Sequence, residues 1–122
     1  MIDITRKSNT LRVATAQAIV KVSKQETIEA INNKTVPKGD VLEMAKTAGL
    51  FAVKKTAEMI PDCHLIPVEH TQVSYEIEGM NIIINIQAKT IYKTGIEVEV
   101  MHGASIIALT SLLFDGSLYI NK

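Results

Sequence analysis

The sequence of 122 residues is poor in several residue types. It contains one cysteine, Cys63, so no disulfide can form within the chain, and a single thiol is typical of a cytoplasmic protein. Tryptophan is absent, and the aromatic residues are two phenylalanines and three tyrosines. That is little material for the stacking surface with which proteins bind single-stranded nucleic acid.

The chain also lacks an excess of charge and a long apolar run. Thirteen basic residues balance thirteen acidic residues, which excludes a uniformly basic nucleic-acid binder but leaves room for a local basic patch. The longest apolar stretch, residues 104–114, is too short to span a membrane and is typical of a core helix. The opening residues MIDITRKSNT have no apolar segment of the kind found in signal peptides. We therefore expect a cytoplasmic protein with neither a nucleic acid nor a membrane as partner.

What the sequence does contain is the composition of one globular domain. Hydrophobic residues make up 47% of the chain and charged residues 21%, and the length suits a single core over residues 1–122. Residues 1–15 are polar and predict irregular structure, whereas the alternation from Ala16 to Val22 predicts a strand. Ser23 and Glu26 form a potential capping box, which predicts a helix that ends near residues 32–34.

A second helix is predicted from Asp40 to residue 60, since Asp40 is a good N-cap and Pro61 stops the helical pattern. A hairpin follows, with its turn at Gly79 and a second strand apolar enough to be central in a sheet. Residues 96–100 fit either a strand or a helix. We favour a helix over 96–114 because Thr94 and Glu97 would then form a capping box.

A short strand is predicted over 117–120, which completes the order β-α-α-β-β-α-β. This order predicts an α+β fold, an antiparallel sheet with helices packed on one face.

Several residues have side chains suited to chemistry, each with a plainer alternative. Five lysines and two acids lie between Lys34 and Lys55, and Lys38-Gly39 precedes a helix start, where an anion would be favoured. Solvated lysines on a helix face explain the same cluster, and the spacing favours that interpretation. Arg12 could clamp a phosphate or lie at the surface.

The loop at residues 61–67 and the start of the last helix hold the other groups. His64 could be a general acid or base, or a hydrogen-bonded loop residue, and Cys63 could be reactive or simply buried. Glu97 and Glu99 could converge on a pocket or stabilise a first helical turn. The other histidines, His70 and His102, show no metal-ligand spacing, so we expect no metal site and interpret both as structural or surface residues.

Taken in order, these residues resemble one family, the MoaC family of cyclic pyranopterin monophosphate synthases. The matching positions are Asp3, Arg12, KGDV at 38–41, AKTAG at 45–49, KKT at 54–56, IPDCH at 60–64, KTGIEVE at 93–99 and ASIIALT at 104–110. The combination of KGD, P-x-C-H and K-T-G-x-E-x-E at these separations is highly specific.

The resemblance implies a ferredoxin-like α+β fold and a homo-oligomer, a hexamer built as a trimer of dimers with its site at a dimer interface. It implies a lyase of molybdenum cofactor biosynthesis without a cofactor of its own. The substrate would be the GTP-derived (8S)-3',8-cyclo-7,8-dihydroguanosine 5'-triphosphate. The products would be cyclic pyranopterin monophosphate and pyrophosphate.

The resemblance also implies roles for individual residues. The catalytic set is Lys38, His64, Glu97 and Glu99; the substrate-binding set is Arg12, Lys54, Asp62, Cys63, His64, Val98 and Glu99. A site shared between subunits would bring Lys38 and His64 of one chain near Glu99 of another.

The sequence departs from the family pattern after about residue 110, and the domain is interpreted as atypical or truncated from there. Leu113 stands where the family has a catalytic Asp, and no lysine follows before Lys122. Activity would require another group in its place; Asp115 is one candidate, although on a helix it points elsewhere. Leu65 also replaces a proline that usually follows the Cys-His pair. The alternative is a non-catalytic subunit of the same fold that binds a nucleoside triphosphate or has a structural role.

Overall fold

A computed structural model of the chain describes residues 1–34 and 39–114. Its elements, in chain order, are β1 (Thr10–Lys21), α1 (Gln25–Asn32), α2 (Val41–Lys54), α3 (Thr56–Met59), β2 (His70–Glu78), β3 (Asn81–Tyr92) and α4 (Glu97–Phe114). Lys38 and the strand predicted over 117–120 lie outside the described residues.

The strands form one antiparallel sheet in the order β1-β3-β2. Ala88 of β3 pairs with Ala14 of β1 on one side and Thr71 of β2 on the other. The predicted hairpin and the central position of its second strand are therefore confirmed. Two flanking partners satisfy both hydrogen-bonding edges of β3, which suits its run of isoleucines.

The helices cover one face of this sheet, as predicted for the α+β fold. Ile82, Ile84 and Ile86 point to that face and are at most 1% exposed. Helix α4 packs against β1 and β3, and α2 packs against α4. The close approach depends on Gly103 of α4, because a Cβ there would overlap Val53 of α2 and Ile86 of β3. The start of α4 is thereby fixed relative to the sheet.

The opposite face of the sheet carries a polar centre and apolar ends. Gln17 donates a hydrogen bond to Asn85 across the strands at 2.9 Å. Leu11 and Ile91, which are paired across β1 and β3, are 67% and 58% exposed. This face contrasts with the helix-covered face, whose central side chains are fully buried.

Two predicted boundaries at the first strand and helix are wrong. Strand β1 begins at Thr10, because residues 10–15 pair with β3 although irregular structure was expected there. The N-cap of α1 is Lys24, with no side-chain cap, so Ser23 and Glu26 do not form the capping box. The amide of Val22 donates to the carbonyl of Met80 at 2.8 Å, which extends the strand conformation almost to Ser23.

The second helix begins as predicted but ends early. Asp40 is its N-cap, and its carboxylate accepts a hydrogen bond from the amide of Glu43. The helix stops at Lys54, and the short α3 follows after Lys55. Lys55 leaves helical geometry, with φ −113° and ψ 16°, so the continuous helix predicted to residue 60 is broken.

The predicted last helix is present, with a different start from the one the capping box requires. A capping box with Thr94 requires Glu97 at the third position of the helix. In the structure Glu97 is the first residue of α4, and Glu99 is the third. Among the helices of residues 1–34 and 39–114, none has the length and apolar character needed to cross a membrane.

Candidate active site

A cleft of about 580 Å³ lies between the loop after α3, the start of α4 and the N-terminal segment. We call residues Asp62, Cys63 and His64 the loop wall and residues Glu97, Val98 and Glu99 the helix wall. The cleft is further lined by Met1, Ile2, Ile4, Lys7, Ile66, Thr94 and Gly95.

The loop wall is held by contacts on its C-terminal side. Ile66 is 7% exposed and belongs to the main core, which anchors the chain two residues after His64. The hydroxyl of Thr90 on β3 donates to the carbonyl of Pro67 at 2.7 Å. A turn closes the other side, where the amide of Cys63 donates to the carbonyl of Ile60. The loop is thus fixed to the sheet although it has no regular secondary structure.

The helix wall is fixed by packing on both sides of Glu99. Ile96 and Val100 are at most 1% exposed, and Glu99 itself is 4% exposed. The Glu97 side chain folds back over Gly95, because a Cβ at residue 95 would overlap its carboxylate. The absence of a side chain at Gly95 therefore makes room for Glu97 at the edge of the cleft.

Arg12 supports the turn that leads into the helix wall. It lies on β1, and its Nη2 donates to the carbonyl of Lys93 at 3.2 Å, directly before the cleft residues Thr94 and Gly95. Its Nε is buried and has no hydrogen-bond partner within the described part of the chain. A buried donor without a partner is costly, so this guanidinium has unused capacity to bind an acceptor.

The N-terminal segment crosses the cleft near the loop wall. The Nε2 atom of His64 lies 2.6 Å from the carbonyl oxygen of Ile2. A carbonyl only accepts, so Nε2 must carry the proton in this arrangement. Asp3 accepts hydrogen bonds from the amide and hydroxyl of Thr5, which lower the pKa of the Asp3 carboxyl and fold this segment into a compact turn.

Two groups in the cleft have altered acidity. Burial raises the pKa of the Glu99 carboxyl, and the neighbouring charge of Glu97 adds to the rise, while the backbone N–H of Glu99 and the charge of His102 oppose it. Burial also raises the pKa of the Cys63 thiol, with further contributions from Glu99 and Asp62. Glu99 is therefore suited to hold a proton, whereas Cys63 is not an activated thiolate.

The described lining of the cleft is richer in acids than in bases. Asp62, Glu97 and Glu99 face one lysine, Lys7. In residues 1–34 and 39–114, no group of three or more His, Cys, Asp or Glu side chains is arranged to hold a metal ion. The cleft can accept hydrogen bonds and exchange protons, but a highly charged anion would need further cations.

The structure thus brings together six of the residues singled out from the sequence, the three of the loop wall and the three of the helix wall. Arg12 and Lys54 are described but do not line the cleft, and Lys38 lies outside the described residues. His64 and Glu99 line one cleft of a single chain, and the expected contribution of a second subunit to the site stays a prediction.

Sequence reasoning missed the contribution of the N-terminal segment. Ile2, Ile4 and Lys7 line the cleft, although the stretch was expected to be merely irregular. Asp3 followed two residues later by Thr5 is a turn signal that predicts its compact shape. Nothing in the sequence predicts that this turn lies beside His64.

The fold and the cleft define a class of protein, an α+β domain with a histidine, a thiol and a buried carboxyl in one cleft. Comparison with known sequences identifies the family: the MoaC family matches residues 1–117, which extends beyond residue 110, where the departure from the family pattern was expected. The chain belongs to the MoaC family.

Individual relatives agree with this assignment. The chain is 43% identical over 110 residues to a "probable cyclic pyranopterin monophosphate synthase" of Saccharolobus solfataricus, an alignment that covers 90% of this chain and 73% of the relative. It is 46% identical over 112 residues to the protein of the same name from Sulfurisphaera tokodaii, with 90% and 72% covered. The cyclic pyranopterin monophosphate synthase of Clostridium perfringens is 42% identical over 112 residues, with 90% and 70% covered.

Proposed function

We infer that this chain is a cyclic pyranopterin monophosphate synthase and acts in molybdenum cofactor biosynthesis. The observation that carries the inference is the meeting of His64 and Glu99 in one cleft of a chain that belongs to the MoaC family. The substrate we propose is the cyclised dihydro-GTP, and the products are cyclic pyranopterin monophosphate and pyrophosphate. The reaction class is that of a lyase.

The acidic lining suits the base of this substrate. A guanine-derived ring presents N–H donors, and ionised carboxylates accept such hydrogen bonds strongly. Glu97, at the rim, and Asp62, on the loop wall, are exposed carboxylates with this capacity. We therefore propose that the base lies between the loop wall and the helix wall, with Cys63 and Val98 in contact with it.

The triphosphate requires cations that the described cleft lining does not supply in sufficient number. Arg12 has a buried Nε without a partner in the described residues, beside the turn that borders the cleft. We propose that Arg12, Lys38 and Lys54 bind the phosphates and stabilise the leaving pyrophosphate. Cations placed where negative charge develops are an effective way to lower such a barrier.

The proton transfers are proposed for His64, Glu99, Glu97 and Lys38. Formation of a cyclic monophosphate from a triphosphate needs attack of a substrate oxygen on the α-phosphorus, loss of a proton from that oxygen and departure of pyrophosphate. A neutral His64 that donates from Nε2 has Nδ1 free to accept a proton. Burial favours the protonated form of Glu99, which suits it to donate one.

The leucine at position 113 affects which residues can transfer protons in this chain. Leucine cannot transfer a proton, so the work of the family's Asp must fall to other groups of this chain. The buried Glu99 and the exposed Glu97 already provide two carboxyl groups of different character at the cleft. We propose that these two, with His64, sustain the reaction without a carboxylate at residue 113.

We also propose that the chain is a homo-oligomer, a hexamer built as a trimer of dimers, in the cytoplasm. The apolar end of the open sheet face supports association, since Leu11, Val13 and Ile91 are each at least 50% exposed. The single thiol agrees with a reducing compartment. Light scattering on the purified protein tests the assembly and should give six times the mass of one chain.

The function is tested by a turnover assay. The purified chain is incubated with the cyclised dihydro-GTP, and pyrophosphate and the pyranopterin product are followed. Both products should appear in equal amounts. Saturable binding without either product would replace the synthase by a non-catalytic binder, and no binding would leave a structural role.

A further inference from the structure

A hydrogen bond joins α4, which carries the helix wall, to α3, which precedes the loop wall. Nδ1 of His102 on α4 lies 3.1 Å from the hydroxyl oxygen of Thr56 on α3. Thr56 is 1% exposed, and its hydroxyl donates to the carbonyl of Ala52 at 2.9 Å. A hydroxyl has a single proton, so Nδ1 of His102 must be the donor to Thr56.

The position of this bond in the chain gives it a role. Thr56 is the first residue of α3, and the chain leaves α3 directly into the loop wall at Asp62. His102 follows Glu99 by three residues, so both lie on the same side of α4. The bond therefore joins the segment that leads to His64 with the helical turn that presents Glu99.

Charged groups of one wall also change the pKa of a group on the other wall. The charge of Glu99, on the helix wall, raises the pKa of the Cys63 thiol on the loop wall. His102 in turn lowers the pKa of Glu99. A change in the spacing of the two walls would therefore alter the acidity of Cys63.

We propose that His102 is a positioning residue that, through Thr56, sets the distance between Glu99 on the helix wall and Cys63 and His64 on the loop wall. Its importance for turnover rests on the proposed function. The distance between the two walls is a property of the free protein and does not depend on the proposed function. In this role His102 acts through the placement of α4 against α3.

Cys63 is the single thiol of the chain and reports on this distance without substrate. Its alkylation by iodoacetamide is measured against pH in the unliganded protein, with Glu99→Gln as reference. Removing the charge of Glu99 should lower the pKa of Cys63 and speed alkylation at pH 8 about threefold. His102→Leu should shift the profile in the same direction, whereas His102→Asn, which keeps a donor near Nδ1, should match the parent protein.

A second pair of variants removes the acceptor of the bond. Thr56→Val has nearly the same shape but no hydroxyl, and Thr56→Ser retains the hydroxyl. Thr56→Val should reproduce the His102→Leu profile, and Thr56→Ser should not. Circular dichroism and a melting curve identify any variant that has unfolded, and the proposal is then decided on the other pair.

The kinetic readout separates this proposal from the proposed function. His102→Leu should lower kcat about tenfold with little change in KM, and His102→Asn should restore most of it. If the parent protein shows no turnover, the proposed function fails while the Cys63 profiles still decide the position of the walls. Folded leucine and valine variants with an unchanged Cys63 profile, or leucine and asparagine variants that shift alike, would overturn the proposal.

Discussion

The two walls of the cleft are built in different ways and expose their acids differently. On the helix wall, Glu99 is 4% exposed and lies between residues that are fully buried in the core. On the loop wall, the Asp62 side chain is 93% exposed, and order comes from hydrogen bonds to the main chain. One wall is a regular element that buries a carboxyl group, and the other is an irregular segment attached at its ends.

This difference assigns the walls complementary work. A buried carboxyl is held closer to its protonated form, because charge is costly away from water. An exposed carboxylate and a histidine on a loop can contact an incoming substrate directly. The comparison predicts that substitutions on the loop wall impair contact and proton exchange, whereas those on the helix wall also change how the protein responds to pH.

The largest effect is expected at His64 of the loop wall. His64→Ala should lower kcat by about 100-fold or more, since general acid–base groups contribute on the order of 10²–10⁴. The measurement is the release of pyrophosphate from the cyclised dihydro-GTP. His70→Ala is the matched control, because His70 is an exposed histidine on β2, outside the cleft lining. Equal rates for the two variants would show that His64 takes no part in the reaction.

The helix wall should give a smaller kinetic effect with a clear difference between its two glutamates. Glu99→Gln keeps the shape but cannot transfer a proton, and it should lower kcat about 10–100-fold. Glu97→Gln should raise KM more than it lowers kcat, because Glu97 is exposed at the rim and is proposed to contact the base. A reversed pattern would exchange the roles of the two residues.

Stability should reveal how the loop wall is attached. Thr90→Val removes the hydroxyl that binds the carbonyl of Pro67 and the carboxylate of Glu69, and Thr90 is 2% exposed. It should lower the free energy of unfolding by about 1–2 kcal/mol, as expected when a buried hydrogen bond is lost. Urea denaturation measures this change.

Thr15→Val makes the same substitution on the exposed face of β1 and serves as the control. Its free energy of unfolding should change by less than about 0.5 kcal/mol. Comparable losses for the two variants would show that the attachment through Thr90 does not matter to the fold.

The smallest effect concerns pH and Glu99. The folded-state pKa of this carboxyl is raised above 4.5, so the folded protein binds its proton more tightly than the unfolded chain does. The stability from that proton is present below pH 4.5 and is lost as pH rises through the folded-state pKa.

Glu99→Gln abolishes this dependence. Relative to the parent protein, its Tm should therefore improve by about 1–3 °C between pH 4.5 and pH 8. Glu97→Gln should show a smaller trend of the same sign, because the charge of Glu97 is one of the contributions that raise the pKa of Glu99. Parallel Tm curves for the parent and Glu99→Gln would contradict the burial argument.

Local patterns in the sequence predicted those parts of the fold that depend on near neighbours. The hairpin at Gly79, the Asp40 cap and the helix over 96–114 each follow from residues close together in the chain. The capping boxes predicted at Ser23 and Thr94 are wrong, since α1 begins after an uncapped Lys24 and α4 begins at Glu97. The start of β1 was missed because its pairing with β3 joins residues far apart in the chain.

The candidate site was likewise predicted only in part from the sequence. The resemblance to the family singled out Cys63, His64 and Glu99, but only the fold places them in one cleft. The hydrogen bond from Arg12 to the carbonyl of Lys93 joins residues 81 positions apart, and no local sequence pattern predicts a contact at that separation. His102 was interpreted as a structural or surface residue because the sequence shows no partner for it. Its partner in the structure, Thr56, lies 46 positions away.

The central claim is that the substrate lies between the two walls of a single chain. The most direct test is a crystal structure of the His64→Ala variant soaked with the cyclised dihydro-GTP. We expect density for the base between Asp62 and Glu99, with the phosphates directed toward Arg12. Substrate bound elsewhere on the chain, with the cleft filled only by solvent, would contradict the account.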